Sequence, residues 1–267
     1  MTREWTNAGA STDWYTASNW TPATAAGAWL PGDIAAFKNT GTATSARINM
    51  NAGNLSLGAI TLSARTRNLT IGNSSTVAGT GKLRLNGATV SGVNNVILSS
   101  GTNIPPYTLF IRNKLPGIIS FMEIVLGNTT DNVVLLDNEE GSAINISAPI
   151  TGAGKKLTLA LKAGSSSAGI LTLSGANTYT GLTTVKARHG SIILAKPGGG
   201  TLPANNDVEI LDGRLRIKTN QTLRNVKVGP LGSLIIDPGI KLTLTGILDD
   251  GTIPFPGGGI SGTIVFV

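Results

Sequence analysis

The chain has 267 residues and a formal net charge of +7, from 21 Lys and Arg against 14 Asp and Glu. Glycine is frequent, at 35 residues, while aromatic residues make up 4% and charged residues 13%, a composition typical of many short strands joined by tight turns and not of helices. The absence of cysteine excludes a disulfide framework, and the single histidine excludes a multi-histidine metal site. No cofactor is predicted.

Residues 1–40 differ from the rest of the chain because all four tryptophans lie there, Trp5, Trp14, Trp20 and Trp29. The open end of a stacked sheet leaves hydrogen-bonding groups and apolar surface facing water, and bulky side chains can cover such an end. We therefore predict that residues 1–40 form a Trp-rich cap. The alternative is a platform on which sugar rings stack against exposed indole faces.

Short apolar runs with period-2 alternation recur from Ile48 onward. Four of them begin at residues 69, 83, 96 and 109, and two more begin at 157 and 171. Turn residues such as Asn86-Gly87 separate the runs, and no convincing helical stripe interrupts them. Two such intervals make a coil of about 26 residues, as in β-solenoids. The expected fold is all-β, a single parallel β-helix over residues 41–267, with a longer loop or distorted coil at 100–120.

Basic residues alternate with apolar ones in three of these runs, so their side chains are expected to point outward. They are Arg65, Arg67, Lys82, Arg84, Arg214, Arg216 and Lys218. Stacked coils could align them into a stripe that contacts anionic polymers such as surface glycans. The alternative is a set of like charges that keeps sheet edges from aggregating. Because no aromatic residues are interleaved to stack bases, the pattern does not predict specific reading of nucleic acid.

A unit of three short strands over residues 170–195 carries a family resemblance. Its pattern is Leu171-x-Leu173-x-Gly175-x-Asn177-Thr178-Tyr179-Thr180-Gly181-x-Thr183-x-Val185, followed by Gly190 and a closing apolar strand. The unit resembles the passenger-associated β-strand repeat of bacterial autotransporters, and the segment from Trp14 to Phe37 is similar to the Trp-containing start often found before such repeats. The resemblance implies a right-handed parallel β-helix displayed outside the cell, without catalytic activity. The stretch between Val185 and Gly190 is longer than in the family, which predicts a bulge.

The segment 196–207 is rich in Gly, Pro and Asn and is predicted to be a projecting loop. Asp207 and Glu209 follow it, share one face of a strand by period 2, and have Asp212 just beyond them. Clustered carboxylates on one face of a β-helix are what polysaccharide lyases and hydrolases use. The alternative is a solvent-facing ladder of ion pairs between adjacent strands.

The function expected from these features is a non-catalytic extracellular or cell-surface module, structural or adhesive, such as a passenger segment or a surface-filament subunit. The alternatives are a polysaccharide-active β-helix enzyme and a phage or virion fibre protein. The final apolar strand at 263–267 leaves the end of the stack uncovered, which indicates either association with further copies by end-to-end stacking or strand addition, or a module cut from a longer solenoid. The most apolar window, residues 118–126, is too short to span a bilayer and contains Glu123, so no membrane span is predicted.

Overall fold

A computed structural model describes the chain in ranges separated by gaps. The described residues are 1–6, 14–24, 28–30, 33–37, 47–49, 54–57, 59–62, 69–72, 82–85, 88–90, 93–101, 108–112, 123–126, 131–138, 143–146, 149–161, 169–249 and 261–267. Within them the chain is almost entirely β-structure, with one short 3-10 helix at Ala17–Asn19. None of the described residues belongs to a helix with the length and apolar character needed to cross a membrane.

The strands are short in the first half of the chain and longer in the second half. The first twelve are β1 (Thr2–Trp5), β2 (Trp20–Thr21), β3 (Ile34–Phe37), β4 (Arg47–Asn49), β5 (Asn54–Leu57), β6 (Ala59–Leu62), β7 (Leu69–Gly72), β8 (Lys82–Leu85), β9 (Ala88–Val90), β10 (Val93–Gly101), β11 (Thr108–Arg112) and β12 (Glu123–Leu126). The others are β13 (Asp131–Asn138), β14 (Ala143–Ile146), β15 (Ile150–Thr151), β16 (Lys156–Leu161), β17 (Ile170–Leu173), β18 (Thr183–Leu194), β19 (Val208–Ile217), β20 (Gln221–Leu223), β21 (Val226–Ile236), β22 (Lys241–Leu244), β23 (Leu248–Asp249) and β24 (Thr263–Phe266).

Parallel pairing stacks these strands into ladders whose members come from successive coils. The first ladder runs β1–β3–β6–β10–β13–β16–β18–β19–β21–β23. The second runs β4–β7–β11–β14–β17 and continues along the C-terminal halves of β18, β19 and β21. A third contains β5–β8–β12–β15, and a fourth contains β20–β22–β24. Among the described strands, only β1–β2 and β9–β10 pair antiparallel. The predicted parallel β-solenoid is therefore confirmed.

The coils differ in length more than the regular spacing of the sequence predicts. In the first ladder Leu157, Thr183, Val208, Val226 and Leu248 follow one another, so their numbers rise by 26, 25, 18 and 22. The ladder register is kept because the added or missing residues fall between the strands, where loop length costs little. The right-handed sense of the coil and the boundary at residue 40 stay predictions.

Aliphatic side chains from every second strand position fill the interior. On β19, Val208, Ile210, Leu215 and Ile217 are at most 1% exposed, and the residues between them face outward or lie half-buried. Burying such a side chain contributes about 1.5–3 kcal/mol relative to leaving it in water. Among the described side chains from Ile124 to Leu244, the core is thus a column in which each coil covers the apolar face of the next.

The four tryptophans pack against one another beside the first strands of the ladder. Trp20 lies 4.7 Å from Trp29, 4.8 Å from Trp14 and 5.0 Å from Trp5, measured between ring centroids. All four are 0–6% exposed, and the Trp20 Nε1 donates to the Trp14 carbonyl at 2.8 Å. A sugar-stacking platform requires exposed ring faces, so this burial excludes that alternative and leaves the predicted Trp-rich cluster as a packed unit.

One ion pair is buried beside this cluster. Arg3 donates from Nε to Asp33 Oδ2 at 2.8 Å, and its guanidinium lies 5.2 Å from the centre of the Trp29 ring. Burial works to raise the pKa of Asp33, but hydrogen bonds from the N-terminal ammonium, the Leu30 amide and Arg3 outweigh it, so the pKa is lowered. The carboxylate stays charged and holds Arg3 against the tryptophans.

Candidate binding groove

The basic residues predicted from the sequence fall on different ladders. Arg214 and Arg216, on the second-ladder part of β19, and Lys218, directly after the strand, are exposed and alternate with buried Leu215 and Ile217. Lys82 and Arg84 lie on β8, in the third ladder. Arg65 and Arg67 lie outside the described residues. The β8 pair and the β19 residues are therefore not brought into a single stripe.

Ion pairs between neighbouring coils occupy much of the outer surface. Arg216 on β19 binds Asp237, which follows β21, with 2.7 Å between Nε and Oδ1. Arg224 contacts Asp207 through two nitrogens, and Lys227 Nζ lies 3.4 Å from Glu209 Oε1. Because these groups are exposed to solvent or partly so, water and salt screen each pair, and its contribution to stability is small. Asp207 and Glu209 therefore form the ion pairs between adjacent strands that were given above as the alternative to a catalytic role.

The carboxylates considered for catalysis are not gathered in one place. Asp207 and Glu209 line the same cavity on the first ladder, whereas Asp212 lines another. Asp212 lies three residues further along β19 than Glu209, beyond a bulge at Leu211, where it pairs with Lys186 of β18. Hydrogen bonding from Arg224 lowers the pKa of Asp207 against the opposing effect of its burial. A general acid needs a raised pKa, so Asp207 is poorly suited to that role.

Bulges in three consecutive coils create a groove at the corner between the first and second ladders. Register shifts fall between Ala187 and Ser191 on β18, between Ile210 and Asp212 on β19, and between Val228 and Leu231 on β21. The bulge predicted between Val185 and Gly190 is therefore confirmed. The cavity has a volume of about 330 Å³ and is lined by residues 188–190, 212–214 and 230–233. We call it the corner groove.

The corner groove combines free positive charge with apolar surface. Arg188, His189 and Arg214 are exposed, and Asp212 is half-buried. Within the described part of the chain, neither arginine has a carboxylate oxygen within 4.0 Å, in contrast to Arg216 and Arg224. Leu231, on the third coil, is 70% exposed and lines the same cavity. A polar, positively charged groove with one apolar wall can take an anionic ligand that also has an apolar face.

Arg188 and His189 are site residues that sequence reasoning missed. The pair His189-Gly190 has the character of a turn, and a surface histidine there is the ordinary outcome. In the structure His189 lies inside β18 with φ at 63°, a left-handed conformation uncommon outside glycine. The signal that could have found it is the unusual length between Val185 and Gly190, since a bulge re-aims the side chains that follow it.

The segment 196–207 does not project as a whole. Gly199, Thr201, Leu202 and Asn206 are buried, and the Gly200 amide donates to the Asn220 carbonyl of the next coil at 2.9 Å. A cavity of about 440 Å³ lies beside it. Several of its polar groups already bond to neighbouring coils, such as the Gln221 amide, which bonds the backbone of Leu202 in both directions. Part of the polar lining of this cavity is therefore already used to join neighbouring coils.

In the ranges that the structure describes, no three His, Cys, Asp or Glu side chains converge in a way that could hold a metal ion. The chain matches no protein-family model, no curated protein and no solved structure. The fold and the groove therefore carry the functional argument.

Proposed function

We propose that the chain is a non-catalytic structural or adhesive β-solenoid module of the extracellular or cell surface. The observation that carries this proposal is how the polar side chains are used. The acids that would serve a polysaccharide-active enzyme, Asp207 and Glu209, each face a cation of the next coil. A carboxylate paired in this way joins neighbouring coils, which is a structural use of the side chain.

The residues that carry the autotransporter resemblance support the same conclusion. Asn177, Tyr179 and Thr183 are 5% exposed or less, and their polar atoms bond to other protein groups. Gly181 lies where a Cβ would overlap the Lys155 carbonyl of the preceding coil. Such residues define a repeat by its packing, and none of them offers a reactive group to solvent. The resemblance to passenger repeats is also what favours a location outside the cell.

An activity assay distinguishes a non-catalytic module from a polysaccharide-active enzyme. Purified chain is incubated with pectate, alginate and hyaluronate, and new reducing ends and unsaturated products are measured over a day. We expect no turnover above a heat-denatured control. Turnover that is lost in Asp207→Asn or Glu209→Gln, with the fold retained by circular dichroism, would overturn the proposal.

Location is tested in parallel on cells of the source organism. Antibody against the chain is expected to label intact cells, and added protease is expected to remove that label without permeabilisation. A cytoplasmic marker serves as the control and should stay unlabelled. Label that is found only after permeabilisation would contradict the extracellular part of the proposal.

A further inference from the structure

We propose that the corner groove binds an acidic oligosaccharide, meaning a stretch of polysaccharide whose sugar rings carry carboxylates. The inference rests on the proposed adhesive function and deepens it by naming a site and a ligand class. It starts from a contrast between arginines on neighbouring coils. Arg216 and Arg224 each hold an aspartate, whereas Arg188 and Arg214 have no such partner among the described residues.

The unpaired arginines suit carboxylates. A guanidinium presents planar paired donors that match the two oxygens of a carboxylate, and it is the side chain best suited to recognising that group. Arg188 belongs to β18 and Arg214 to β19, which are adjacent in the ladder. Adjacent strands lie about 4.8 Å apart, so the two cations stand on successive coils. A linear polymer running along the stack meets them one after the other.

The third coil supplies a surface for a sugar ring. Leu231 is 70% exposed and Pro230 is also exposed beside it. Sugar rings have an apolar face of C–H groups, and packing that face on Leu231 and Pro230 removes apolar surface from water. Asp212, half-buried in the same lining, accepts hydrogen bonds from hydroxyl groups. The groove therefore has a partner for each part of an acidic sugar: arginines for the carboxylate, Asp212 for a hydroxyl group, and Leu231 with Pro230 for the apolar face of the ring.

Nucleic acid fits the groove less well. It is also anionic, but proteins that bind single strands stack the bases on aromatic rings. The ten lining residues include His189 but no Phe, Tyr or Trp. Aliphatic Leu231 and Pro230 suit a saturated ring better than a nucleobase. We therefore assign the groove to saccharide and leave nucleic acid as an outcome of the test.

The test measures binding of trigalacturonate to the whole chain by isothermal titration calorimetry in low salt. The methyl-esterified trimer, which lacks the charges, is the matched ligand. The double variant Arg188→Ala/Arg214→Ala is compared with Arg216→Ala/Lys218→Ala, which removes the same number of positive charges from the end of β19, outside the groove. We expect the first to raise Kd about tenfold or more and the second to raise it less than about twofold.

The variant Leu231→Ser tests the groove independently, in case the double arginine variant does not fold. Leu231→Ser changes an exposed side chain and should also weaken binding, by about threefold to tenfold, while circular dichroism stays that of the unaltered chain. Equal losses in the two double variants would show attraction by general charge and overturn the assignment. So would the absence of saturable binding, equal affinity for the methyl-esterified trimer, or tighter binding of a single-stranded DNA of equal charge.

Chromatography of the titrated samples shows whether the trimer has been cleaved, and so tests the non-catalytic function separately from the binding assigned to the groove. An intact trimer with binding lost in the groove variants supports both proposals. A cleaved trimer overturns the non-catalytic function whatever the affinity. An intact trimer without binding overturns the groove assignment alone.

Discussion

Asn177 and Gln221 show how single side chains join the coils at the turns. Asn177 Oδ1 accepts from the Ile150 amide at 2.9 Å, and its Nδ2 donates to the Thr201 carbonyl at 2.8 Å, so one side chain bridges the coils before and after it. Gln221 exchanges two bonds with the backbone of Leu202, at 3.0 and 2.9 Å. Buried backbone groups need partners, and these amides supply them where the strands are interrupted.

Thr183 is the centre of a second buried network. Its hydroxyl donates to Asn206 Oδ1 at 2.6 Å, so the Tyr179 hydroxyl, also at 2.6 Å, must donate to Thr183. Burial raises the pKa of Tyr179 against the effect of its bond to Thr183, which keeps the hydroxyl neutral and able to donate. Asn206 Nδ2 completes the chain by donating to the Gly181 carbonyl at 2.7 Å.

We therefore expect Thr183→Val to lower the free energy of unfolding by about 2–5 kcal/mol, because it leaves the Tyr179 hydroxyl and the Asn206 carbonyl buried without partners. Thr183→Ser is the control, since it keeps the hydroxyl and removes one methyl group, at a cost of about 1 kcal/mol. Urea unfolding followed by circular dichroism measures both. A loss in Thr183→Val that is no larger than the loss in Thr183→Ser would mean that the hydroxyl network contributes little to stability.

At the scale of strands, the corner groove depends on close approach between the bulges of β18 and β19. Gly213 has φ at 80°, and a Cβ added to it would overlap the Ala187 carbonyl. Gly239 has a similar φ of 75°, but an added Cβ would meet no atom within 4 Å. The two glycines thus share a backbone conformation and differ only in the space around them.

Alanine substitution at the two glycines separates the cost of the left-handed conformation from the cost of the steric overlap. Gly239→Ala is expected to cost about 1–2 kcal/mol, the cost of a left-handed conformation for an L-residue. Gly213→Ala is expected to cost a further 1–3 kcal/mol or so, because the clash forces the two bulges apart. Chemical unfolding gives both values. If Gly213→Ala is no worse than Gly239→Ala, the bulges are not held in contact as described.

The strands themselves were predictable from the sequence because one face of each is buried. Leu215 and Ile217 alternate with Arg214 and Arg216, and that alternation correctly assigned inside and outside. The alternation changes phase between Ile210 and Leu215, where the bulged residue Leu211 interrupts the pairing with β18. Arg214 was identified as a candidate binding residue because it lies in a regular run.

The sequence did not identify Arg188 and His189 as candidate binding residues because both lie inside a bulge, where the period-2 pattern is interrupted. Arg188 and Arg214 line one groove because of how the coils stack in register, which a single sequence does not display. Long-range register depends on the lengths of the intervening coils, and those vary from 18 to 26 residues over the last four steps of the first ladder.

At the scale of the whole molecule, the coils contact their neighbours and little else, so stability is expected to be local. The tryptophans offer a way to observe this, because all four lie in residues 1–40. Their fluorescence reports on the cluster beside β1 and β3, whereas far-UV circular dichroism reports on every coil. The two signals can therefore be compared in one unfolding experiment.

Ile217→Ala is the variant for that comparison. Ile217 is fully buried and pairs with Leu194 and Ile236 of the adjacent coils, so its truncation is expected to cost about 2–5 kcal/mol there. The circular dichroism transition should move to lower denaturant, while the fluorescence midpoint stays within error of the unaltered chain. Asp33→Asn, which removes the charge partner of buried Arg3, should do the reverse and shift mainly the fluorescence. Coincident shifts of both signals in both variants would show that the solenoid unfolds as one cooperative unit.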